Sequence, residues 1–435
     1  MAKTPPDPLA RAYHRSLALR WLAAVLPMPA LVPLLLGRGL DLAEVGLVLA
    51  TFAAVTAALE VPTGGLADAV GRVEVTLAAD VLAAAGRLGM LLAASLEAFL
   101  LAAALSGVAR ALGSGSLEAW YVDALRRGAP QADLQGVLAR AGVIQALALG
   151  AGTLAGGAVP LLAPVLGLGS AGGVPALQLA FAASIAVGLL ALATTVPLRR
   201  HHVGPRAGRG AARPDRVALD AWRSMRGDPA LAALTGVGAA TGALIMAFEA
   251  FFPAELRGRL GDGAVTPLLG AALAGAFAAT AIGQGLGGGS ARDGPARRPL
   301  GRAALGHLLT GAALLGLAAQ LGGGATAAAI AVGSLWLAYL GLGVASPTLA
   351  AAFHARVPAA RRAALLSVRS LTFFAGGVAA MLVLGPLGAA VGLTAVWLVA
   401  AAIALSAAAL MTLWGAAEPA QAGPATRVIS GERSA

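Results

Sequence analysis

The chain has 435 residues, of which 58% are hydrophobic and 12% charged, and its mean hydropathy is +0.82. A soluble domain carries about 25% charged residues, so a soluble protein is excluded. With about 20 apolar residues needed per crossing, twelve membrane crossings would use roughly 240 residues, which leaves short loops, one longer connector and two tails. The formal net charge is +11, but Lys3 is the sole lysine and the arginines sit mostly between apolar runs, where they read as topology signals rather than a nucleic-acid surface. There is no cysteine, which removes disulfides, thiolate metal sites and cysteine nucleophiles. With Lys confined to position 3, a phosphate-binding G-x-x-x-x-G-K-[ST] loop is impossible and an ATP-driven pump is not expected.

Apolar runs of spanning length fall at 17–36, 43–61, 75–94, 98–119, 138–162 and 177–196. A segment over 198–228 follows, too rich in arginine to cross a membrane, and the rhythm resumes at 230–252, 265–287, 303–321, 325–353, 364–384 and 388–414. The expected organisation is a six-helix half over 1–197, a basic cytoplasmic connector over 198–228, a second six-helix half over 229–414, and a cytoplasmic, disordered tail over 415–435. With the N-terminus inside, and Arg20, Arg140 and Arg369 at cytoplasmic span ends counted as cytoplasmic, 26 of the 31 Lys and Arg residues lie in cytoplasmic segments, three outside (Arg38, Arg257, Arg259) and two within spans (Arg87, Arg110). This asymmetry predicts a multi-pass protein of the cell membrane with both termini cytoplasmic. Short uncharged outer loops are expected near 167–175, 322–324 and 385–386.

The halves also echo one another. Gly113-Ser114-Gly115 with Pro130 has a counterpart in Gly341-Leu342-Gly343 with Pro358, both offset by 228 residues. Parallel repeats of this kind are one of the architectures of secondary transporters, with the substrate site at the repeat interface.

The most specific segment lies between spans 2 and 3: Gly64-Gly65-Leu66-Ala67-Asp68-Ala69-Val70-Gly71-Arg72. It resembles the G-x-L-a-D-r-x-G-r-r loop of the major facilitator superfamily, with Gly64, Leu66, Asp68, Gly71 and Arg72 matching and Ala69 and Val73 in place of basic residues. The resemblance implies an all-α membrane fold of twelve helices in two similar halves, and a conformational latch carried by Asp68 and Arg72. After span 8, Gly289, Asp293, Arg297 and Arg298 keep a degenerate copy of the loop, with Ala291 and Ala296 at the Leu and second Gly positions. In span 4, Arg110 ahead of Gly113-Ser114-Gly115 is similar to the family's R-x-x-q-G-x-g segment. In span 5, Gly152-Thr153-Leu154-Ala155-Gly156-Gly157 is similar to the G-P-x-x-G-G core of its drug-proton antiporters, with Thr153 for Pro, and its glycines equally suit close helix packing.

An arginine at the depth of Arg110 costs about 2.5–3.5 kcal/mol on insertion scales and needs a partner, with Asp80, Glu118 and Asp68 as the expected choices. The pairing would serve either as a packing ion pair or as a proton relay in which protonating an acid frees Arg110. Asp80 and Arg87 stand seven residues apart in span 3, roughly 10 Å in rise, so each needs a partner on another helix or in a water-filled cavity. Other polar residues within spans are Glu60, Gln145, Glu249, Gln284, Gln320, Trp336 and Tyr339. Of these Gln145, Glu249 and Trp336 are the substrate-cavity candidates, with Glu249 expected near the outer end of span 7 beside Phe248, Phe251 and Phe252 at a cavity mouth. The five histidines form no i, i+4 metal pair.

The functional expectation is a monomeric, proton-coupled exporter of a small amphipathic or hydrophobic compound, acting by alternating access without a cofactor, metal or nucleic-acid partner. The alternative is an importer or facilitator of a small nutrient solute. A membrane enzyme is not expected, because no clustered nucleophile, metal-ligand or phosphate-binding pattern is present.

Overall fold

The computed structural model describes residues 8–128, 134–200, 227–288, 299–320, 322–356 and 362–417. The connector from 201 to 226, the second-half loop copy (Gly289, Asp293, Arg297, Arg298) and the tail beyond 417 lie outside the described residues. The described residues are helical with no strand, and twelve helical stretches are long and apolar enough to cross a membrane. In chain order the first half contains α1 (Pro8–Val25), α2 (Met28–Gly37), α3 (Leu42–Val70), α4 (Arg72–Leu92), α5 (Leu96–Gly113), α6 (Ser116–Gly128), α7 (Leu134–Ala158) and α8 (Val174–Thr195). The second contains α9 (Pro229–Leu260), α10 (Asp262–Gly288), α11 (Pro299–Ala318), α12 (Ala325–Arg356), α13 (Arg362–Val391) and α14 (Leu393–Ala417). The first crossing is α1 with α2, and the fourth is α5 running on into α6.

Local chemistry sets the helix ends. Asp41 and Glu44 form a reciprocal capping box at the start of α3, Ser95 caps α5, and Asp228 accepts from the Ala230 and Leu231 N–H groups ahead of Pro229 in α9. Two boundaries differ from the sequence expectation. The segment from Gly64 to Val70, expected as a loop, continues α3 as helix, and the turn shrinks to Gly71 at φ 120, a conformation glycine adopts without strain. At the other end of the molecule, the turn expected at Gly385 and Pro386 falls at Gly392 (φ 102), because α13 carries Pro386 inside it.

The repeat is imperfect in the same physical terms. The fourth crossing breaks at Ser114 and Gly115, where φ is 69. Its counterpart α12 runs unbroken through Gly341 and Gly343. Those glycines serve packing instead: a Cβ on Gly341 would run into the Gly306 carbonyl, and one on Gly343 into the Thr280 carbonyl.

The halves are joined at one end and parted at the other. At the end away from the termini, a continuous buried cluster draws on both halves, from Ala30, Leu35, Val45 and Phe99 to Phe252, Leu269, Met381 and Trp397. At the end bearing the termini each half has a cluster of its own, one around Tyr13, Trp120 and Tyr121 and the other around Leu234, Phe353 and Met411. Consistently, α2 packs on α9 and α10 whereas α13 and α10 meet the first half along α3 and α7. Glycines make these seams. A Cβ on Gly46 of α3 would stand 2.9 Å from the Met381 carbonyl, and one on Gly157 of α7 would stand 2.9 Å from the Gly270 Cα.

Replacing a mid-helix glycine by alanine ordinarily stabilises a helix by about 1 kcal/mol. At Gly157 the seam reverses the sign, and overpacking costs about 1–3 kcal/mol. Gly157→Ala is therefore expected to lower the melting midpoint of the purified protein, whereas Gly150→Ala, whose Cβ meets nothing within 4 Å, leaves it unchanged or raises it.

Candidate functional site

Four helices of the second half bring one face each to a cavity of about 530 Å³, within the range that holds small ligands. On α9 the face is Leu234, Gly238, Thr241, Ile245 and Glu249, spaced three or four residues apart as one side of a helix requires. Residues Leu273, Phe277, Thr280 and Gln284 continue the wall on α10, Tyr339, Leu342, Ser346, Leu349 and Phe353 on α12, and Arg369, Ser370 and Phe373 on α13. From the first half only Met28, beside the break between α1 and α2, reaches the described lining. The cavity runs from Glu249 and Tyr339 toward Leu234, Phe353 and Arg369, in the direction of the end where the halves are parted.

Of the expected cavity residues, Glu249 alone lines it. It lies eleven residues before the end of α9, about 16 Å into the helix, rather than near the outer end. Phe248, Phe251 and Phe252 are buried in the core shared by the halves and form no mouth. Gln145 is half-buried on α7 away from the cavity, and Trp336 is 42% exposed, its indole N–H donating to the Ala272 carbonyl at 2.9 Å across α10 and α12. Among the described residues no hydrogen bond or ion pair meets Glu249, and Arg369 rests against the Phe353 ring with its guanidinium carbon 5.5 Å from the centroid.

Glu60 on α3 joins the halves. The Ser370 hydroxyl donates to its carboxylate, with Oγ lying 2.9 and 2.8 Å from the two oxygens. Ser370 also faces the cavity, so this contact sits at the cavity's edge on the seam between α3 and α13.

Most other charges of the first half find contacts within it, though not as the spacing suggests. Asp80 pairs with Arg20 of α1 at 2.7 Å, and the same guanidinium donates to the Thr76 carbonyl at 3.3 Å. Arg110 does not meet Asp80; it lies over the Trp21 ring at 5.8 Å, a cation–π contact that keeps a guanidinium in apolar surroundings. Glu118 is exposed on α6. Arg87 lies between α4 and α8, its Nη1 2.9 Å from where a Cβ on Gly188 would be. Arg72 reaches Asp123 of α6 at 2.9 Å. Thr63 donates to the Ala111 carbonyl at 3.1 Å, fastening α3 to α5. Gly64 and Asp68 lie in the last two turns of α3, Leu66 is exposed there, and Gly71 makes the turn. Gly152 packs against Val25 and Leu22, Gly156 against the Leu26 carbonyl at the α1–α2 break, and Gly157 against Gly270.

Sequence reasoning assigned Arg20 and Arg369 to the cytoplasmic rim and gave no site role to Asp123, Ser370 or the threonines of the cavity. The periodic face of α9 was a usable signal: Ile245 and Thr241 lie one and two turns below Glu249.

Comparison with known proteins agrees with this architecture. The sequence profile of the Major Facilitator Superfamily matches residues 16–340. No curated protein sequence matches the chain. Among solved structures, the nucleoside transporter NupG superimposes with a TM-score of 0.74 at 14% identity, covering 94% of this chain and 99% of that one. A peptide transporter POT in complex with sulfate gives 0.73 at 14% identity and 94% of both chains. A POT family transporter in complex with 5-aminolevulinic acid gives 0.73 at 13% identity, over 94% of this chain and 96% of that one. At such identities the likeness shows the fold alone. The profile match covers most of the chain and, with the twelve helices in two halves, establishes that this chain belongs to the Major Facilitator Superfamily.

Proposed function

We propose that this transporter exports a small amphipathic compound across the cell membrane in exchange for protons, by rocking of the halves 1–197 and 229–414 about the cavity. The observation that carries the reading is a largely apolar cavity holding one carboxylate, Glu249, with no cation beside it among the described residues. A carboxylate inside a membrane protein is costly unless it is neutralised. A proton and a cationic substrate would each neutralise it, and the two cannot do so together. Exchange of one for the other is what an antiporter requires. This puts Glu249 in the proton-carrying role first expected of Asp80 or Glu118, and leaves the Asp80–Arg20 pair to hold α1 against α4.

Orientation follows from charge. The basic asymmetry favours a cytoplasmic position for the end bearing the termini, so the cavity would load from inside. The chain would act as a monomer in the lipid bilayer, with the basic connector 198–228 on the cytoplasmic side. The Arg72–Asp123 pair and Asp68 would serve as the latch on that face. The alternative, uptake of a small polar solute, is favoured by one observation: the cavity wall also carries Thr241, Thr280, Gln284 and Ser346.

Cells expressing the protein are expected to accumulate less of a lipophilic amine than control cells, and to lose the difference on adding a protonophore. Glu249→Gln should abolish the concentrative export while keeping equilibrative exchange. Asp80→Asn strands the Arg20 charge in a buried site, at a cost of about 3–5 kcal/mol, and should appear as reduced yield and melting temperature. Protonophore-sensitive export that survives Glu249→Gln and vanishes in well-folded Asp80→Asn would return the proton to Asp80.

The Glu60–Ser370 contact would set the balance between the two faces. A hydrogen bond to a charged group contributes about 1.5–3 kcal/mol. Because the chain has no cysteine, a single cysteine at Gly238 in the cavity reports access directly. Ser370→Ala and Glu60→Gln should each slow its labelling from the cytoplasmic side by about tenfold, and the double variant should slow it no further. Additive effects would show that the two residues act separately.

A further inference from the structure

The cavity holds a second charge that the export reading does not use. Phe373 of α13 stands level with Gly242 of α9, where a Cβ would run into the Phe373 carbonyl. Gly376 meets the Ala239 carbonyl in the same crossing, so Arg369, four residues before Phe373, stands level with Gly238 or nearer the start of α9. Glu249 lies eleven residues above Gly238, about 16 Å along the axis at 1.5 Å per residue. Both side chains line the same cavity, and the wall between them is mostly apolar, at Ile245, Leu342, Leu349 and Phe373, with the hydroxyls of Thr241 and Ser346 set into it. The two charges are too far apart to neutralise one another. Among the described residues neither has an ionic partner, Arg369 being held only against the Phe353 ring. Charges left in this way at opposite ends of an apolar slot define a ligand by complementarity.

We infer that the preferred substrate is a bipolar amphiphile: an amine that pairs with Glu249, a carboxylate that pairs with Arg369, and an apolar chain along the wall between them. A planar guanidinium binds a carboxylate through two parallel hydrogen bonds, which fixes direction as well as charge. A molecule with a single charge leaves one of the two groups without a partner. Arg369 thus becomes a specificity-determining residue. The inference rests on the reading of this cavity as the substrate site, and adds to it the second charge and the length of the substrate.

The test uses the full chain, purified into nanodiscs, with four probes of equal chain length: 10-aminodecanoic acid, decylamine, decanoate and decanol. In the unaltered protein, 10-aminodecanoic acid should bind at least tenfold more tightly than either singly charged probe. Arg369→Gln should reduce its affinity to that of decylamine, and Glu249→Gln to that of decanoate, while decanol is unaffected by both. If decylamine binds the unaltered protein as tightly as the amino acid and only Glu249→Gln weakens it, the bipolar assignment falls and the export reading stands. If none of the four binds the unaltered protein, both fall together. The ranking of the four probes in the unaltered protein needs no variant to fold, and equal affinities there overturn the inference without further data.

Discussion

A charge inside a bilayer must find a partner, and the way this molecule distributes partners organises it. In the first half three contacts are internal, Arg20 on Asp80, Arg110 over Trp21 and Arg72 on Asp123, while Glu60 takes its hydrogen bond from Ser370 of the second half. In the second half, the same holds at the end away from the termini. There Glu255 accepts from Arg259 and from the Trp397 indole, the latter at 2.8 Å, and Arg259 also donates to the Gly322 carbonyl. Each of these groups has a partner within the protein, although the second carboxylate oxygen of Asp80 is buried without one among the described residues. Glu249 and Arg369 are the contrast, facing the cavity where the described residues offer them no counter-ion.

Backbone proximity is the second constraint, and it works with the first. Without interhelical hydrophobic driving force in lipid, close approach of small residues supplies much of the packing. Gly46, Gly157, Gly270 and Gly385 draw the halves together at one end. At the other, the halves keep separate cores, and Glu60 with Ser370 provides a polar tie on the seam. A seam of glycines is tight but non-directional, whereas the tie depends on one charge. The two ends of the molecule are thus held by forces with different sensitivities, one to side-chain volume and one to the loss of a single hydrogen bond.

The fold was almost fully legible in the sequence because it depends on long apolar runs, and every one of the twelve runs corresponds to a helix. The errors were local. Gly64 to Val70 carries turn-like glycines, yet Leu66, Ala67 and Ala69 suit a helix, and the turn needs only Gly71. The site was legible in part. Glu249 was singled out because an acid in a span is rare, but its depth was misjudged, since a 32-residue α9 extends past the apolar core used to place it. The partners of Asp80 and Arg110 were missed because pairing among helices distant in sequence leaves no periodic trace. Arg20 reaches Asp80 across sixty residues, and nothing in the spacing of either announces it. Arg369 was read as a rim charge, for a sequence shows where an arginine begins and not which way it leans.

The lopsided cavity wall has a consequence for how such a protein changes over time. Apart from Met28, the described lining comes from α9, α10, α12 and α13. A change in the shape or charge of this described wall therefore arises chiefly within 234–373, with Met28 and, at the edge, Glu60 as the first half's share. Variation in the two halves is under different rules. Grafting residues 229–414 onto the first half of a relative would transplant the shape and charge of the chamber nearly whole, and the reciprocal graft would leave it behind.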